Sequence, residues 1–544
     1  MARKGLTTGI SVATSLVLCL TNVTAQPIGD LIKNCDIEGV KAFVEAHDIN
    51  KLYYDYTPLC YAIKYKQEPI VELLIRNGAD VEKACHGKTP MMFAAKYDAA
   101  SIINLLIEAG TQIDNSNEAG QTPLIYACKY GHLKTAKHLI TKGATLTLKD
   151  NNGATCLTYA LKSPSRRLVD FLLDQGLKIP NIGDVQEGPH VRWLSDDRCE
   201  IIYLKHTGSS NKTTIVKEII DSRNLPSLIG LDTEANIHRP NHTTSKSSHI
   251  YDRASKILAI GDLHGEYDSF TKLLSNTGVI DKQLNWRWGK GHIVICGDVF
   301  DRGPKVTECL WLIYKLQQQA ERVGGAVHLI LGNHEVIHLL NMGRGDLADK
   351  YTILFYNAGL DHAEFFTKEY ELGRWLRTRP LIVKLGDRLF VHGGIPVEFI
   401  ANELSIEKMN AFARTVLNNE DFRVEDADRM VRLTFTCTEY RGYFDRGGDY
   451  FKSLEGKMNE ILSYYGIEQI VVGHTTVDEV TLLKAGSVVA IDVPFGTGQV
   501  REQALLIEND TLYRINADGS KEILMIDGEY YREQYLLNKF TGIP

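Results

Sequence analysis

The residue types able to do chemistry gather in five short blocks. These are Gly261-Asp262-Leu263-His264-Gly265, Gly297-Asp298-Val299-Phe300-Asp301-Arg302-Gly303, Gly332-Asn333-His334-Glu335, Val391-His392-Gly393-Gly394 and Gly473-His474-Thr475. Two carboxylates, three imidazoles and an amide brought together would hold two divalent cations. Such a pair needs a bridging carboxylate, further O or N ligands on each side, and open positions for water and substrate. Asp298 is suited to bridge. Asp262 and His264, two apart on one loop, can reach one ion, and Asn333, His392 and His474 can complete the other. A set with no thiolate suits Mn²⁺ first, then Fe or Zn²⁺, rather than copper or an Fe–S cluster. A hydroxide held between the cations would attack a tetrahedral phosphorus in line. The leaving oxygen then needs a proton. His334, beside Asn333 but free of ligation, can donate it, and Asp301 can keep that imidazole protonated. Arg302 offers a planar fork for two phosphate oxygens.

Each block follows a short apolar run: Ile257–Ile260, Ile293–Cys296, Val327–Leu331, Leu389–Val391 and Ile470–Val472. Runs of this length bounded by glycine predict buried strands. Acid, amide and imidazole therefore fall where strands give way to loops, the place where open α/β sheets gather ligands. Helical patterns over Tyr267–Thr277, Val306–Val323 and Val336–Asn341 alternate with the runs, the βαβ grammar of a sheet buried on both faces. Further strands are expected at Val488–Val493, Ala504–Glu508, Thr511–Ile515 and Glu522–Ile526, with a hairpin turn at Asn516-Ala517-Asp518-Gly519.

Ahead of this region lies a repeat of about 33 residues. Thr57-Pro58-Leu59, Thr89-Pro90-Met91, Thr122-Pro123-Leu124 and Thr155-Cys156-Leu157 each open a helical pattern, and Gly78, Gly110, Gly143 and Gly176 close the helix that follows. Threonine caps the first helix, and proline after it pre-sets φ. Glycine supplies the left-handed turn that ends the second. Half-matched copies before Thr57 and after Thr155 would serve as caps. The region from about Gln26 to Leu177 resembles ankyrin repeats, which implies protein binding through a concave face. Cys60, Cys128 and Cys156 fall at helix-core positions of this array.

The five blocks, in their order, resemble those of the calcineurin-like metallophosphoesterases, and within them the phosphoprotein phosphatase group, over Tyr251 to Val493. The resemblance implies a β-sandwich flanked by helices. It implies Asp262, His264 and Asp298 on one metal and Asp298, Asn333, His392 and His474 on the other, with His334 and Asp301 as the acid pair and Arg302 as phosphate clamp. It adds Arg441, in Tyr440-Arg441-Gly442, as a second phosphate-contacting arginine, and counts Asn333 among the substrate contacts as well. Gly473-His474-Thr475, with Pro304 closing the second block, is similar to the bacterial-type, Shewanella-like protein phosphatases. That branch includes enzymes acting on phosphotyrosine, so the expected substrate is phosphorylated protein or peptide, with Ser/Thr and Tyr both open. Two alternatives stand. Symmetrical dinucleoside tetraphosphate hydrolases share most blocks but typically lack the aspartate at the position of Asp301, and an ankyrin scaffold can carry an inactive phosphatase fold.

The expected architecture is multidomain, an α-solenoid of ankyrin repeats followed by an α/β β-sandwich. At 544 residues the chain is too long for one core. The divisions expected are 1–25 signal peptide, 26–180 ankyrin repeats, 181–250 small β segment and linker, 251–510 catalytic domain and 511–544 C-terminal β extension. Arg3 and Lys4, the apolar Ile10–Leu20 and the small residues Val23-Thr24-Ala25 make the signal peptide, and predict export to a periplasm or beyond the cell with no membrane span after cleavage. A net charge of -7 implies no nucleic-acid surface. Ten cysteines, nine of them after Cys19, lack close pairing and a CxxC, and read as small core residues. His328, His338 and His362 read as packed or solvated, Asp492 as structural, and the Arg374–Arg379 cluster as a solvated face. His238, His242 and His249 read as solvated linker residues. Asn211 and Asn241 match glycosylation acceptors, a pattern frequent by chance.

Overall fold

The computed structural model describes residues 28–225, 249–342, 347–419, 422, 429–444, 457–496, 502–526 and 529–530, save 54, 164 and 253. Residues 1–25, expected as a signal peptide, the polar stretch 233–248 with His238, Asn241 and His242, and the chain end from 531 lie outside the described residues, while His249, expected to be solvated, is buried. Two compact units form, Met1–Ile179 and Pro180–Pro544. No described helix is long and apolar enough to cross a membrane.

The first unit is built of paired helices: α1 Ile28–Lys33, α2 Ile37–Ala46, α3 Pro58–Lys64, α4 Glu68–Arg76, α5 Pro90–Lys96, α6 Ala100–Glu108, α7 Pro123–Lys129, α8 Leu133–Thr141, α9 Cys156–Leu161 and α10 Arg166–Asp174. Thr57, Thr89 and Thr122 each accept a hydrogen bond from the backbone N–H three residues on, with proline in the first turn. Thr155 does the same in a reciprocal capping box with Thr158. The first helices bury Ala62, Ala94, Ala95, Ala127 and Ala160, which lets neighbours approach closely. Cys60, Cys85, Cys128 and Cys156 are buried free thiols, and Cys35 is exposed.

The second unit contains a sandwich of two sheets. Its strands are β4 Ile250–Tyr251, β5 Lys256–Ile260, β6 His292–Ile295, β7 Ala326–Leu329, β8 Ile382–Leu385, β9 Arg388–Val391, β10 Gln469–Val472, β11 Thr481–Leu483, β12 Val488–Ala490, β13 Gln503–Glu508, β14 Thr511–Asn516, β15 Lys521–Ile526 and β16 Glu529–Tyr530. One sheet runs β11-β12-β10-β9-β8-β4, the other β16-β15-β14-β13-β5-β6-β7. Strand alternation decides which core each residue enters. Ile257, Ala259, Val294, Phe390, Val471 and Val489 meet between the sheets, whereas Leu258, Ile260, Ile293, Ile295, Leu389 and Val472 join the core on the outer faces. That is why these runs are apolar throughout rather than alternating. Helices α11 Tyr267–Asn276, α12 Val306–Arg322 and α13 Asn333–Leu339 follow β5, β6 and β7. β5, β6 and β7 are parallel, as are β9, β10 and β12, so the carboxyl ends of each set point the same way.

Three further strands, β1 Val185–Ser195, β2 Arg198–Thr207 and β3 Lys212–Asp221, make an antiparallel sheet. They were expected to stand apart, with a linker after them. Instead Val191, Trp193, Ile201 and Leu204 enter the outer core of the second unit. The Trp193 indole donates to Glu371 at 2.7 Å, and Glu187 accepts from Thr307 and forms an ion pair with Lys350. Likewise β14, expected to open an extension, is an interior strand paired to β13 and β15. The Arg374–Arg379 cluster is no solvated face. Arg377 is buried, and its guanidinium donates to the carbonyls of Leu339, Phe366, Gly373 and Leu417, capping chain segments no local pattern links.

Candidate metal centre and active site

Five of the parallel strands deliver the blocks. Asp262 and His264 follow β5, Asp298 follows β6, Asn333 and His334 follow β7, His392 follows β9 and His474 follows β10. Their glycines are there because the loops nearly touch. A Cβ on Gly332 would collide with the Asp298 carboxylate, and one on Gly473 would stand 2.7 Å from Asp262 Oδ1. The third block is helical from Asn333, three residues before the apolar pattern begins, because Glu335 reaches back to the Gly332 N–H at 2.8 Å. The same carboxylate accepts from the N–H groups of Asp298 at 2.8 Å and Val299 at 2.7 Å, tying the second block to the third.

All six expected ligands converge. Oxygen and nitrogen atoms of Asp298, His392 and His474 lie within 4.8 Å of one another, as do those of Asp298, His264 and His334, so Asp298 is shared by both groups. His264 Nε2 stands 3.8 Å from Asp262 Oδ2, and His392 Nδ1 stands 3.8 Å from Asp262 Oδ1. His392 Nε2 is 3.2 Å from Asp298 Oδ2 and 3.0 Å from Asn333 Oδ1.

These groups fit a cation pair. His264 Nδ1 lies 2.7 Å from the Phe300 carbonyl and His392 Nδ1 lies 2.6 Å from the Cys296 carbonyl. A carbonyl only accepts, so both Nδ1 atoms carry the hydrogen and both Nε2 atoms face the pocket, the tautomer a metal-ligating histidine uses. His264 Nε2 is buried without a hydrogen-bond partner. Burial first, and Arg302 and His334 beside it, bring the His264 imidazole down to about 4, and burial with His392 brings His474 down to about 3. Both are neutral donors at ordinary pH. His392 behaves oppositely. Burial presses it down, but Asp298 and Asp262 outweigh that and raise it to about 10. Without a proton there, its Nε2 would face the lone pairs of Asn333 Oδ1 and Asp298 Oδ2, so these three atoms demand positive charge between them. A cation supplies it and releases the proton. Burial works against ionised Asp298 too, yet His392, His334 and His264 hold it well below the usual carboxylate range.

Beside this centre His334 Nδ1 lies 2.5 Å from Asp301 Oδ2, while its Nε2 faces Asp298 at 3.7 Å. Burial disfavours the charged imidazole, but the Asp301 hydrogen bond and the Asp298 charge prevail and raise it above its usual 6.5. The other oxygen of Asp301 accepts from His338 Nε2 at 2.9 Å. His338 read as a lone histidine in the sequence. Its one signal there was its place four residues after His334 in a helical stretch, which sets the two on one face. Arg302 is exposed and its charge acts on His264, and Arg441 is anchored through the His474 carbonyl and the Thr475 hydroxyl, both at 3.2 Å. Asp492 follows β12 and accepts from Thr476 at 3.1 Å, with burial and its carboxylate neighbours raising it. His328 is packed in the core against Tyr251 and His292, and His362 is buried against His338 and Phe300, behind Asp301.

Residues 255–478 match the calcineurin-like phosphoesterase family, and residues 30–117 and 101–182 match ankyrin repeats. Shewanella-like protein phosphatase 1 of Plasmodium berghei is 28% identical over 222 residues, 40% of this chain and 61% of that one, so the chain spans about three fifths of that relative's length. The symmetrical bis(5'-nucleosyl)-tetraphosphatase of Methylococcus capsulatus is 34% identical over 207 residues, 35% of this chain and 67% of that one. Among solved structures, the cold-active protein-tyrosine phosphatase of a psychrophilic Shewanella is 30% identical, with a TM-score of 0.52, covering 63% of this chain and 100% of that one. A sandwich whose strand ends collect carboxylate, amide and imidazole, matched along the whole of that phosphatase, leaves one assignment: the chain belongs to the calcineurin-like phosphoesterases and is a metallophosphatase that also carries ankyrin repeats.

Proposed function

We propose that the chain is a protein phosphatase, hydrolysing phosphomonoesters of phosphorylated protein or peptide. The observation that carries this reading is the 2.5 Å pairing of His334 with Asp301. A seryl alkoxide or a tyrosyl phenoxide leaves poorly unless protonated, and the free phenol has a pKa near ~10. A nucleotide phosphate leaves as a stable anion and needs such an acid far less. An imidazole held protonated beside the pocket therefore fits an ester of an alcohol or phenol.

When bound, two divalent cations, Mn²⁺ in this proposal with Fe or Zn²⁺ as alternatives, would acidify water and neutralise phosphate oxygens. Asp262, His264, Asp298, Asn333, His392 and His474 would hold them. Arg302 and Arg441 grip phosphate oxygens, with Asn333 alongside, and set phosphorus in line with the attacking water oxygen. As the new P–O bond forms, the ester P–O bond opens on the far side, and His334 Nε2 passes its proton to the departing oxygen. Asp301 stays ionised and keeps the Nδ1 hydrogen in place. We further propose that residues 26–180 recruit a protein partner, that 251–510 hold the catalytic machinery, and that residues 1–25 are a cleaved leader that exports the chain to a periplasm or beyond the cell.

The test is a parallel assay. Protein stripped of metal and reloaded with Mn²⁺ is offered phosphotyrosine peptide, phosphoserine peptide and diadenosine tetraphosphate. A higher kcat/KM on either phosphopeptide is expected. The second reading, symmetrical dinucleoside tetraphosphate hydrolysis, draws on the 34% identity to the Methylococcus capsulatus enzyme, and a preference for the dinucleotide would put it in place of the first.

A further inference from the structure

The first helices α3, α5, α7 and α9 pack side by side as one layer of the ankyrin unit. At the end of three of them the sequence repeats Lys-Tyr: Lys64-Tyr65, Lys96-Tyr97 and Lys129-Tyr130. Aromatic residues one turn earlier, Tyr61, Phe93, Tyr126 and Tyr159, keep the same phase. Ring contacts join the first two repeats and pair rings within the second and third, and lysines bridge onward to the rings of the next repeat. Tyr56 packs on Phe93 at 5.8 Å, Phe93 on Tyr97 at 6.1 Å and Tyr126 on Tyr130 at 6.4 Å. The lysines lie over these rings. Lys64 Nζ is 4.8 Å from the Tyr56 ring, Lys96 Nζ is 5.5 Å from the Tyr130 ring, and Lys129 Nζ is 5.6 Å from the Tyr159 ring. Tyr130 remains 39% exposed.

We propose that this strip is the docking surface for an extended, carboxylate-rich segment of a protein partner, a proposal that rests on reading the ankyrin unit as a protein-binding array. Packing alone gives no reason for lysine at each step. The strip's cations sit on rings rather than on carboxylates. Two acids are held by hydroxyls rather than by these lysines, Asp98 by Thr135 at 2.5 Å and Asp150 by the strip's own Tyr159 at 2.7 Å. A fourth cation, Lys88, joins them and is pushed down by burial and then by Lys96 and Lys129, so like charges crowd this face. The crowding opposes folding and is relieved by an anionic ligand.

Spacing selects the ligand further. Packed helices stand about 10 Å apart, so successive lysines recur at about that interval. An extended chain advances about 3.3 Å per residue, and three residues match one step. The strip therefore suits a segment with a carboxylate at every third position, whose intervening side chains lie on the tyrosine rings.

The test is fluorescence anisotropy with the full chain and a labelled fifteen-residue peptide bearing glutamate at every third position, without phosphate. Its isomer, with the same glutamates gathered at one end, and a neutral analogue serve as comparisons. The spaced peptide should bind most tightly and release as salt is raised. Lys64→Ala, Lys96→Ala and Lys129→Ala should each weaken it about threefold, and the triple variant about 30-fold. Helical ellipticity and thermal unfolding should be unchanged in these variants, which establishes that the ankyrin unit folds, and p-nitrophenyl phosphate turnover should be unchanged as well. Equal binding by the triple variant, or by the two isomers, overturns the proposal. Tighter capture of inorganic polyphosphate than of either peptide also overturns it, by making the strip a polyanion site. If the neutral analogue binds as well as the spaced peptide, the unit binds chains but not through these lysines. If no peptide binds, this docking proposal fails while the protein-binding reading of the array stands, to be tested by cross-linking the isolated interaction partners of the full chain.

Discussion

Left-handed backbone serves different ends at the second-helix ends of the ankyrin unit and at the metal centre of the second unit. In the ankyrin unit it ends the second helices, at Gly78, Gly110, Gly143 and Gly176 with φ of 86, 93, 98 and 91°. A Cβ at any of the four would meet nothing within 4 Å, so glycine is there for its torsion alone. At the metal centre the same region of φ falls on His264 (44°), Asp298 (50°), Asp301 (69°), Arg302 (61°) and His474 (61°). A side chain in this conformation costs about 1–2 kcal/mol. At the four second-helix ends the residue yields to the backbone; at the centre Gly265 and Gly297 take this region as well, but five side chains hold it beside them.

Exchanging the two rules is the strongest way to break the comparison. His264→Gly removes the backbone strain, yet it should abolish turnover and lower the bound metal per chain, read by elemental analysis. Retained metal and activity would show that His264 is placed by its torsion rather than its imidazole. His334→Asn should be next in size. It should cut turnover by about 10²–10⁴ with metal content intact, and the loss should be smaller for aryl esters that leave without a proton. An acid must be protonated to act, and His334 is raised above 6.5. Wild-type kcat/KM on an alkyl ester should therefore hold below that raised value and fall as pH rises through it, and the variant should lose this limb.

Legibility divides along the same line. The expected ligands were readable because they stand within a few residues of the end of a short apolar run bounded by glycine, and the repeats because their capping threonines and closing glycines keep one phase. Neither inference needed knowledge of what lies across the fold. What escaped depends on partners distant in sequence. Glu187 looks like any strand carboxylate until Thr307 and Lys350 arrive from 120 residues away or more. Arg377 looks solvated until four carbonyls converge on it. The small β segment expected at 181–250 forms its own three-stranded sheet, but its packing into the second unit was not readable, since Trp193 finds its acceptor in Glu371.

His338 sharpens the comparison one layer out. It touches neither expected metal ligand nor substrate, and acts only by fixing Asp301. His338→Leu should lower turnover of alkyl phosphates about tenfold while leaving metal content and aryl phosphate turnover nearly unchanged, and His338→Asn, which keeps an N–H donor, should restore part of the loss. An equal fall on both ester classes would make His338 merely structural.

Acid should separate the units. His190, His328 and His249 are brought down to about 3, 3 and 4, chiefly by burial, and all belong to the second unit. A histidine neutral when folded and ordinary when unfolded stabilises the fold above pH ~6.5, and that contribution is lost as pH falls towards the folded value. All five tryptophans also lie in the second unit. In metal-stripped protein their emission should shift on acidification while part of the helical ellipticity persists. A single coincident transition would mean that the units unfold as one.

The smallest effect tests the rule of the repeats on a residue that departs from it. Lys66 follows α3 at φ 55°, in the place that Gly131 holds after α7 at φ 73°. Its side chain is exposed, and its backbone N–H bonds to the Ile63 carbonyl whatever the residue. Lys66→Gly relieves about 1 kcal/mol of left-handed strain, against about 0.5–1 kcal/mol for the freer unfolded chain. The balance is a gain of at most about 0.5 kcal/mol, or roughly 1–2 °C in the Tm of a unit this size. Calorimetry of the variant beside Gly131→Lys, which should lose more than Lys66→Gly gains, measures it. A fall in Tm for Lys66→Gly would mean that this lysine, too, holds its torsion for the sake of its side chain.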